Sequence, residues 1–248
     1  MKKITLIISI IAVSLSLLFT SCNAFAKDIK GNGKLVTKSI AIANFSEMEI
    51  ETAVVVNYSQ AENTGNLEFT VDENLFEYYD IYTKDNVLNI KLKKEYKNVI
   101  HPKPSKSVIT VSSEQLEDIE IAGSSIFHFC TDFTARELSI DLAGSAIVST
   151  NKNSVYIEQC EIEIAGSGQV QLKGTIQEAE IDIAGSGQVD ALNCKISKLE
   201  VEIAGSGSVK AHVINELEVE IAGSGKVQYK GNPVVSKDIA GSGKVVKL

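Results

Sequence analysis

A four-residue unit beginning Ala-Gly-Ser recurs seven times in the second half of the chain, and it leaves few folds open. Copies start at Ala122, Ala143, Ala165, Ala184, Ala204, Ala222 and Ala240, at intervals of 21, 22, 19, 20, 18 and 18 residues. The fourth place holds Ser125 and Ala146, then Gly168, Gly187, Gly207, Gly225 and Gly243. The flanks repeat too. One place before Ala stands an aliphatic residue, from Ile121 to Ile239. Three places before stand Ile119, Ile140, Ile162, Ile181, Val201 and Val219, until Lys237 breaks the series. Five places after stand Phe127 and then Val148, Val170, Val189, Val209, Val227 and Val245. Apolar residues at odd offsets give a period of two, which is the strand signal.

Geometry turns these strands into a solenoid. A straight strand from Leu199 to Ala211 would measure about 43 Å at ~3.3 Å per residue. A rung of roughly 20 residues has to return to its start, so it bends. Glycine supplies the bend, because it takes positive φ without a Cβ clash. Rungs then stack about 4.8 Å apart, with like residues above like. Each tetrad is expected to be a corner carrying a ladder of hydroxyls. A phosphate-cradling loop would need a helix after the glycines. Lys226 and Lys244 follow Gly, yet no helical stretch follows either.

Residues 27–113 lack the tetrad but read as β. Candidate strands cover 48–52, 54–58, 67–71, 76–83, 87–92 and 108–112, with a turn at Lys84-Asp85-Asn86. This region is expected to start the stack and cap its open end, since a bare edge invites aggregation. Residues 114–248 form the repetitive part. The expected class is all-β: a parallel solenoid of about seven Ala-Gly-Ser-Gly rungs with an amino-terminal β-cap.

Residues 1–21 read as an export signal: Lys2 and Lys3 precede an apolar run from Ile4 to Phe19. Phe19-Thr20-Ser21-Cys22 resembles a lipobox, which makes Cys22 the expected lipid attachment site and gives the membrane link if that thiol is acylated. Ala24-Phe25-Ala26 offers ordinary cleavage after residue 26 instead. Loss of Lys2 and Lys3 leaves 22 basic residues against 32 acidic ones, which argues against a nucleic-acid partner. Cys130, Cys160 and Cys194 remain, an odd number with no CxxC spacing, so neither a full disulfide framework nor a zinc site is indicated.

The exported start, the lead-in from Ser39 to Val56, the Leu116-Glu117-Asp118-Ile119 entry and the Ile-Ala-Gly-Ser-Gly-x-Val rungs resemble the putative auto-transporter adhesin, head-GIN-domain family. The resemblance implies a right-handed parallel β-solenoid in a bacterial envelope protein. It brings no catalytic residues, and nothing after the solenoid encodes a membrane barrel.

Charge is the feature that the fold does not absorb. Two places before each Ala stands an acid: Glu120, Asp141, Glu163, Asp182, Glu202, Glu220 and Asp238. Four places before, Asp118, Glu161, Glu180, Glu200 and Glu218 are acidic. Stacking sets neighbouring carboxylates about 5 Å apart, a repulsion of roughly 0.9 kcal/mol per step even in bulk water. One reading is a solvated, anti-aggregation face. The other is a stripe for a cation such as calcium, or for a cationic partner. A glycosidase would need two acids in distinct environments in a cleft, whereas these are expected to repeat equivalently on a convex face. Arg136 beside Glu137 reads as a surface ion pair. Tyr156, Tyr229, Phe127 and Phe129 read as core, and Cys160 as a small buried hydrophobe. His128 and His212 have no repeated acid or serine partner, so a Ser-His-Asp site is not indicated.

The sequence thus points to a non-catalytic binding or structural module of the cell envelope, meeting an envelope or extracellular protein or glycan. Its alternatives are a carbohydrate-active enzyme on the same scaffold and a periplasmic envelope-stress accessory protein.

Overall fold

The computed structural model describes residues 26–248. Cys22 and the leader lie outside the described residues. The chain is a parallel β-solenoid whose like columns are in register. Ile119 pairs with Ile140, Ile140 with Ile162, Ile162 with Ile181, Ile181 with Val201 and Val201 with Val219. Phe127, Val148, Val170, Val189, Val209, Val227 and Val245 form a second ladder. Apart from Val245, which lies in the terminal rung, the members of both ladders are at most 2% exposed.

The tetrad is the corner. Its first glycine has positive φ in every copy, as at Gly185 with φ +124°. A Cβ there would lie 2.7 Å from the carbonyl oxygen of Gly166, so both conformation and close approach exclude a side chain. The second glycine answers a different need: a Cβ on Gly187 would come within 2.6 Å of Ile164 Cγ2. Corner to corner, the backbone supplies the ladder. Ser186 N–H donates to Gly166 O at 2.8 Å, and Ser206 N–H to Gly185 O at 2.8 Å. The expected ladder of hydroxyls is a column of serines stacked in register at the corners. Ser145, Ser167 and Ser186 are exposed, and the bonds between corners are main-chain bonds.

The amino-terminal third is more than a cap. Glu47–Ile50 and Val55–Gln60 make a rung that pairs in parallel with Asp118–Gly123 and Ile126–Phe129. Val87–Leu92 and Ser107–Ser113 make another on its far side. Spatial order therefore departs from chain order: residues 47–60 lie between 87–113 and 118–129. The capping role belongs to antiparallel strands. Asn66–Asp72 pairs with Ser107–Ser113 and with Leu35–Ala41, and Tyr79–Lys84 folds back on Val87–Leu92. The expected turn between the last two has Asp85 at φ 51° and Asn86 at φ 69°.

Around this end the core is aromatic. Tyr58 lies 5.8 Å from Phe127 and 6.0 Å from Phe129 between ring centroids. Its hydroxyl donates to Ser113 O at 3.1 Å. Lys27–Lys30 forms a small parallel sheet with Ile100–Lys103. Asp72, fully buried, ties that sheet to the body by accepting from Gly33 N, Ser105 N and Ser105 Oγ. Burial alone would raise the Asp72 carboxyl, but the Ser105 and Gly33 bonds hold it below its usual value.

Candidate functional site

The acidic stripe assembles as the repeat requires. Glu120 pairs with Asp141, Asp141 with Glu163, Glu163 with Asp182, Asp182 with Glu202, Glu202 with Glu220 and Glu220 with Asp238. The neighbouring column runs from Asp118 through Ser139 to Glu161, Glu180, Glu200 and Glu218. Strand alternation explains both columns: even offsets from the tetrad face out while odd offsets fill the core.

Two expectations about this face fail. It is not simply convex. Beside the stripe a groove of about 720 Å³ crosses the rungs, lined by Glu137, Glu161, Glu178, Glu200, Glu216, Glu218 and others, with Lys198 as its one basic residue. Lys198 is engaged by Glu178 at 3.5 Å. Nor are the acids equivalent. Asp182 is only 5% exposed, and its Oδ1 has no hydrogen-bond partner among the described residues. Burial, then the charges of Glu202 and Glu180, push its carboxyl up to about 7. Burial and Glu163 push Asp141 up to about 7 as well. Glu120, Glu163 and Glu202 are raised for the same reasons, burial first and acidic neighbours next. The shorter aspartates sit closer to the sheet, between glutamates above and below, and so lose more water.

The stripe also begins earlier than the tetrads do. Glu49 pairs with Glu120 and continues the column, which then ends on the amide of Asn89. At this lower end the acids have cations. Lys91 Nζ lies 3.9 Å from Glu49 Oε2 and 3.9 Å from Glu51 Oε1, and Lys97 bonds Glu51 directly. Burial would raise Glu51, but the Lys97 bond and charge bring it below its usual value. Glu49 stays raised, by burial and by its bond to Glu51. Sequence reasoning missed this rung because it has no tetrad. The signal was present: Met48-Glu49-Ile50 repeats the apolar-acid-apolar order of Ile119-Glu120-Ile121.

From Glu120 to Asp238 none of the seven stripe acids forms an ion pair among the described residues. Nor, among those residues, do three or more acids, cysteines or histidines converge as a metal-binding group. Elsewhere Arg136 pairs with Glu137 at 3.0 Å on the surface, as expected. Cys160 is buried at 3% exposure. All three described cysteines are free, and burial raises the Cys160 and Cys194 thiols to about 12. Phe127 and Phe129 are core, while Tyr229 packs against the core from a half-buried position. Tyr156 corrects its expectation: at 49% exposure it faces solvent, because its strand turns a corner there and the alternation restarts. Among the described residues no helix is long and apolar enough to cross a membrane.

Comparison with known proteins agrees with this architecture. A Parabacteroides distasonis protein described as a "putative lipid binding protein" matches with TM-score 0.76 and 28% identity, over 90% of this chain and 100% of its own. A "putative adhesin" from Parabacteroides merdae matches with TM-score 0.71 and 28% identity, over 90% and 100%. Another from Bacteroides fragilis shares the fold, with TM-score 0.78 and 23% identity over 89% and 100%. Among curated proteins no match was found. The model of the family described as "Putative auto-transporter adhesin, head GIN domain" matches residues 44–233, from the rung without a tetrad to the edge of the last rung, and the chain belongs to that family.

Proposed function

We propose that this chain is a non-catalytic module of the cell envelope that displays a rigid binding face. The observation that carries the reading is the acidic face: two adjacent in-register columns of carboxylates, the second of which lines a groove across many rungs, on a scaffold whose rungs are pinned by main-chain bonds. Such a surface has length and sign, and its acids do not converge among the described residues. Catalysis by paired acids needs two carboxyls with opposed roles over one scissile bond. Here the raised groups repeat along an open face. Export and anchoring through acylated Cys22 complete the reading, with the solenoid held at the envelope surface and its face turned toward a protein or glycan.

The test has two arms. Immobilised mature chain is exposed to envelope extract, and a Glu161→Gln/Glu200→Gln/Glu218→Gln variant serves as the comparison. Retention of a discrete partner by the wild type and its loss in the variant is the expected result. In parallel, a polysaccharide panel is assayed for turnover. Cleavage of any member, abolished by changing one acid pair, would replace the display reading with the carbohydrate-active one.

A further inference from the structure

The ladder is answered with lysine at one end and left unanswered along the rest. Around Glu49 and Glu51 the chain brings two of its own ammonium groups from a separate segment. Lys91 is steadied by Asn89 Oδ1 at 2.9 Å and lies 5.3 Å from the Tyr82 ring centroid. Lys97 arrives from the connection beyond the strand. Through Lys91 at Glu49 the molecule thus contains a worked instance of what its own acid column accepts, with Lys97 bonding Glu51 beside it. Six steps of the same column continue past it without an ion pair among the described residues.

A second observation marks the unanswered part as unfinished. Asp182, at 5% exposure, keeps an oxygen without a partner. A buried carboxylate oxygen left bare is costly, and native structures normally satisfy one with a donor. Its in-register neighbours are Glu163 and Glu202, so neither ionised neighbour can donate. A mobile ammonium on a long stem, bringing three donors, can reach such an oxygen once the flexible Glu163 and Glu202 side chains swing aside. A chelated metal ion fits less well, since no three ligands converge among the described residues.

We propose that the stripe from Glu120 to Asp238 is a docking track for a lysine-rich segment of a partner protein, whose ammonium groups seat beside the column's carboxylates as Lys91 does beside Glu49. This rests on the display reading and gives its partner a chemistry. The track is a row of single charges, so affinity comes from their number and falls steeply with salt.

The experiment uses the mature chain and a fluorescein-labelled hexalysine peptide, read by anisotropy at 20 mM and 150 mM salt. Binding is expected at low salt and weakens at least tenfold at the higher salt. The Glu163→Gln/Asp182→Asn/Glu202→Gln variant, which relieves repulsion and so keeps its fold, is expected to bind at least tenfold more weakly. A control of equal charge change among exposed acids, Glu62→Gln/Glu77→Gln/Glu95→Gln, is expected to bind within twofold of wild type. Lys91→Ala/Lys97→Ala, which frees two more acids, is expected to tighten binding two- to threefold. Absence of binding at 1 mM peptide in low salt, or equal losses in the track and control variants, overturns the proposal. A partner retained from envelope extract that hexalysine does not displace also overturns it, while leaving the display reading standing.

Discussion

The lower and upper parts of one acidic column show two ways of handling the same charge. At the lower end Lys91 lies 3.9 Å from Glu49, the column's own member, and Lys97 bonds Glu51, which stands beside the column at the Ala122 level and titrates below its usual range. Four rungs further, Asp182 has carboxylates above and below and titrates at about 7. Glu49 and Asp182 belong to one in-register column of the same parity. What differs is whether another segment of the chain crosses the column. In the amino-terminal third such segments exist, because the strands there leave the stack and come back. In the repeats they do not, because each rung leads directly to the next. Regular repetition therefore produces an uncompensated charge wherever it produces a charge at all.

This contrast depends on the corners holding the register, so the largest effect should come from breaking one. Gly185→Ala places a methyl against the Gly166 carbonyl at φ +124°. Destabilisation of about 2–4 kcal/mol is expected, combining backbone strain with the contact. At ~2–4 °C per kcal/mol for a chain of this size, melting followed by circular dichroism should fall by roughly 5–15 °C. An unchanged melting point would mean that the corners do not set the register.

The upper part of the column can be tested by pH. Asp141 and Asp182 have folded pKa values raised to about 7, so their neutral forms favour the fold. That contribution is complete below about pH 4 and is lost as pH rises through 7. Glu51 and Asp72 are lowered and act oppositely, costing stability as pH falls below about 4. The melting temperature should therefore be higher at pH 5 than at pH 8, and should drop again in stronger acid. Asp182→Asn should raise stability at pH 8 by about 1–2 kcal/mol, after allowance for solvent screening, and should flatten the slope between pH 5 and 8. A variant no more stable than wild type at pH 8 would show that the buried carboxylate is already compensated.

A smaller effect is expected below. Lys97→Ala should cost about 0.5–1 kcal/mol at pH 7, since the Glu51 partner is mostly buried while the lysine is half exposed. Smallest of all, Arg136→Ala should change stability by less than about 0.5 kcal/mol, because both members of its ion pair are exposed. If Lys97→Ala proved as harmless as Arg136→Ala, the contrast between the two parts of the column would lose its energetic content.

The repeat made most of this legible before any coordinates. Odd-offset residues such as Ile181 and Val189 had to face inward, and Asp182 had to face out. The column of acids followed from spacing alone. Three things did not follow. The burial of Asp182 depends on its being shorter than Glu163 and Glu202, an atomic detail that parity does not carry. The groove depends on how the strand bends around Leu138 and Leu199, where two outward residues adjoin before alternation resumes. The rung at residues 47–60 was hidden because it turns without glycine: Ser125 Oγ, on the neighbouring rung, bonds Thr52 O and receives Val54 N–H at that corner. Side chains replace the tetrad there, and a pattern search keyed to Ala-Gly-Ser passes over it.

The interleaved position of that rung also sets a schedule for assembly. Joining 47–60 to 118–129 closes a separation of 71 residues, as between Val54 and Ser125. Every later rung closes only 18 to 22. The long closure costs about 1 kcal/mol more in chain entropy than a short one. It also has to wait until the segment at 87–113 has been laid on the other side or left free to arrive. Once it is made, each new rung finds a finished edge within reach. Folding should therefore show one slow, concentration-independent step assigned to the amino-terminal third, followed by rapid growth in a single direction. A chain begun at residue 114 would have the fast steps without the edge that starts them.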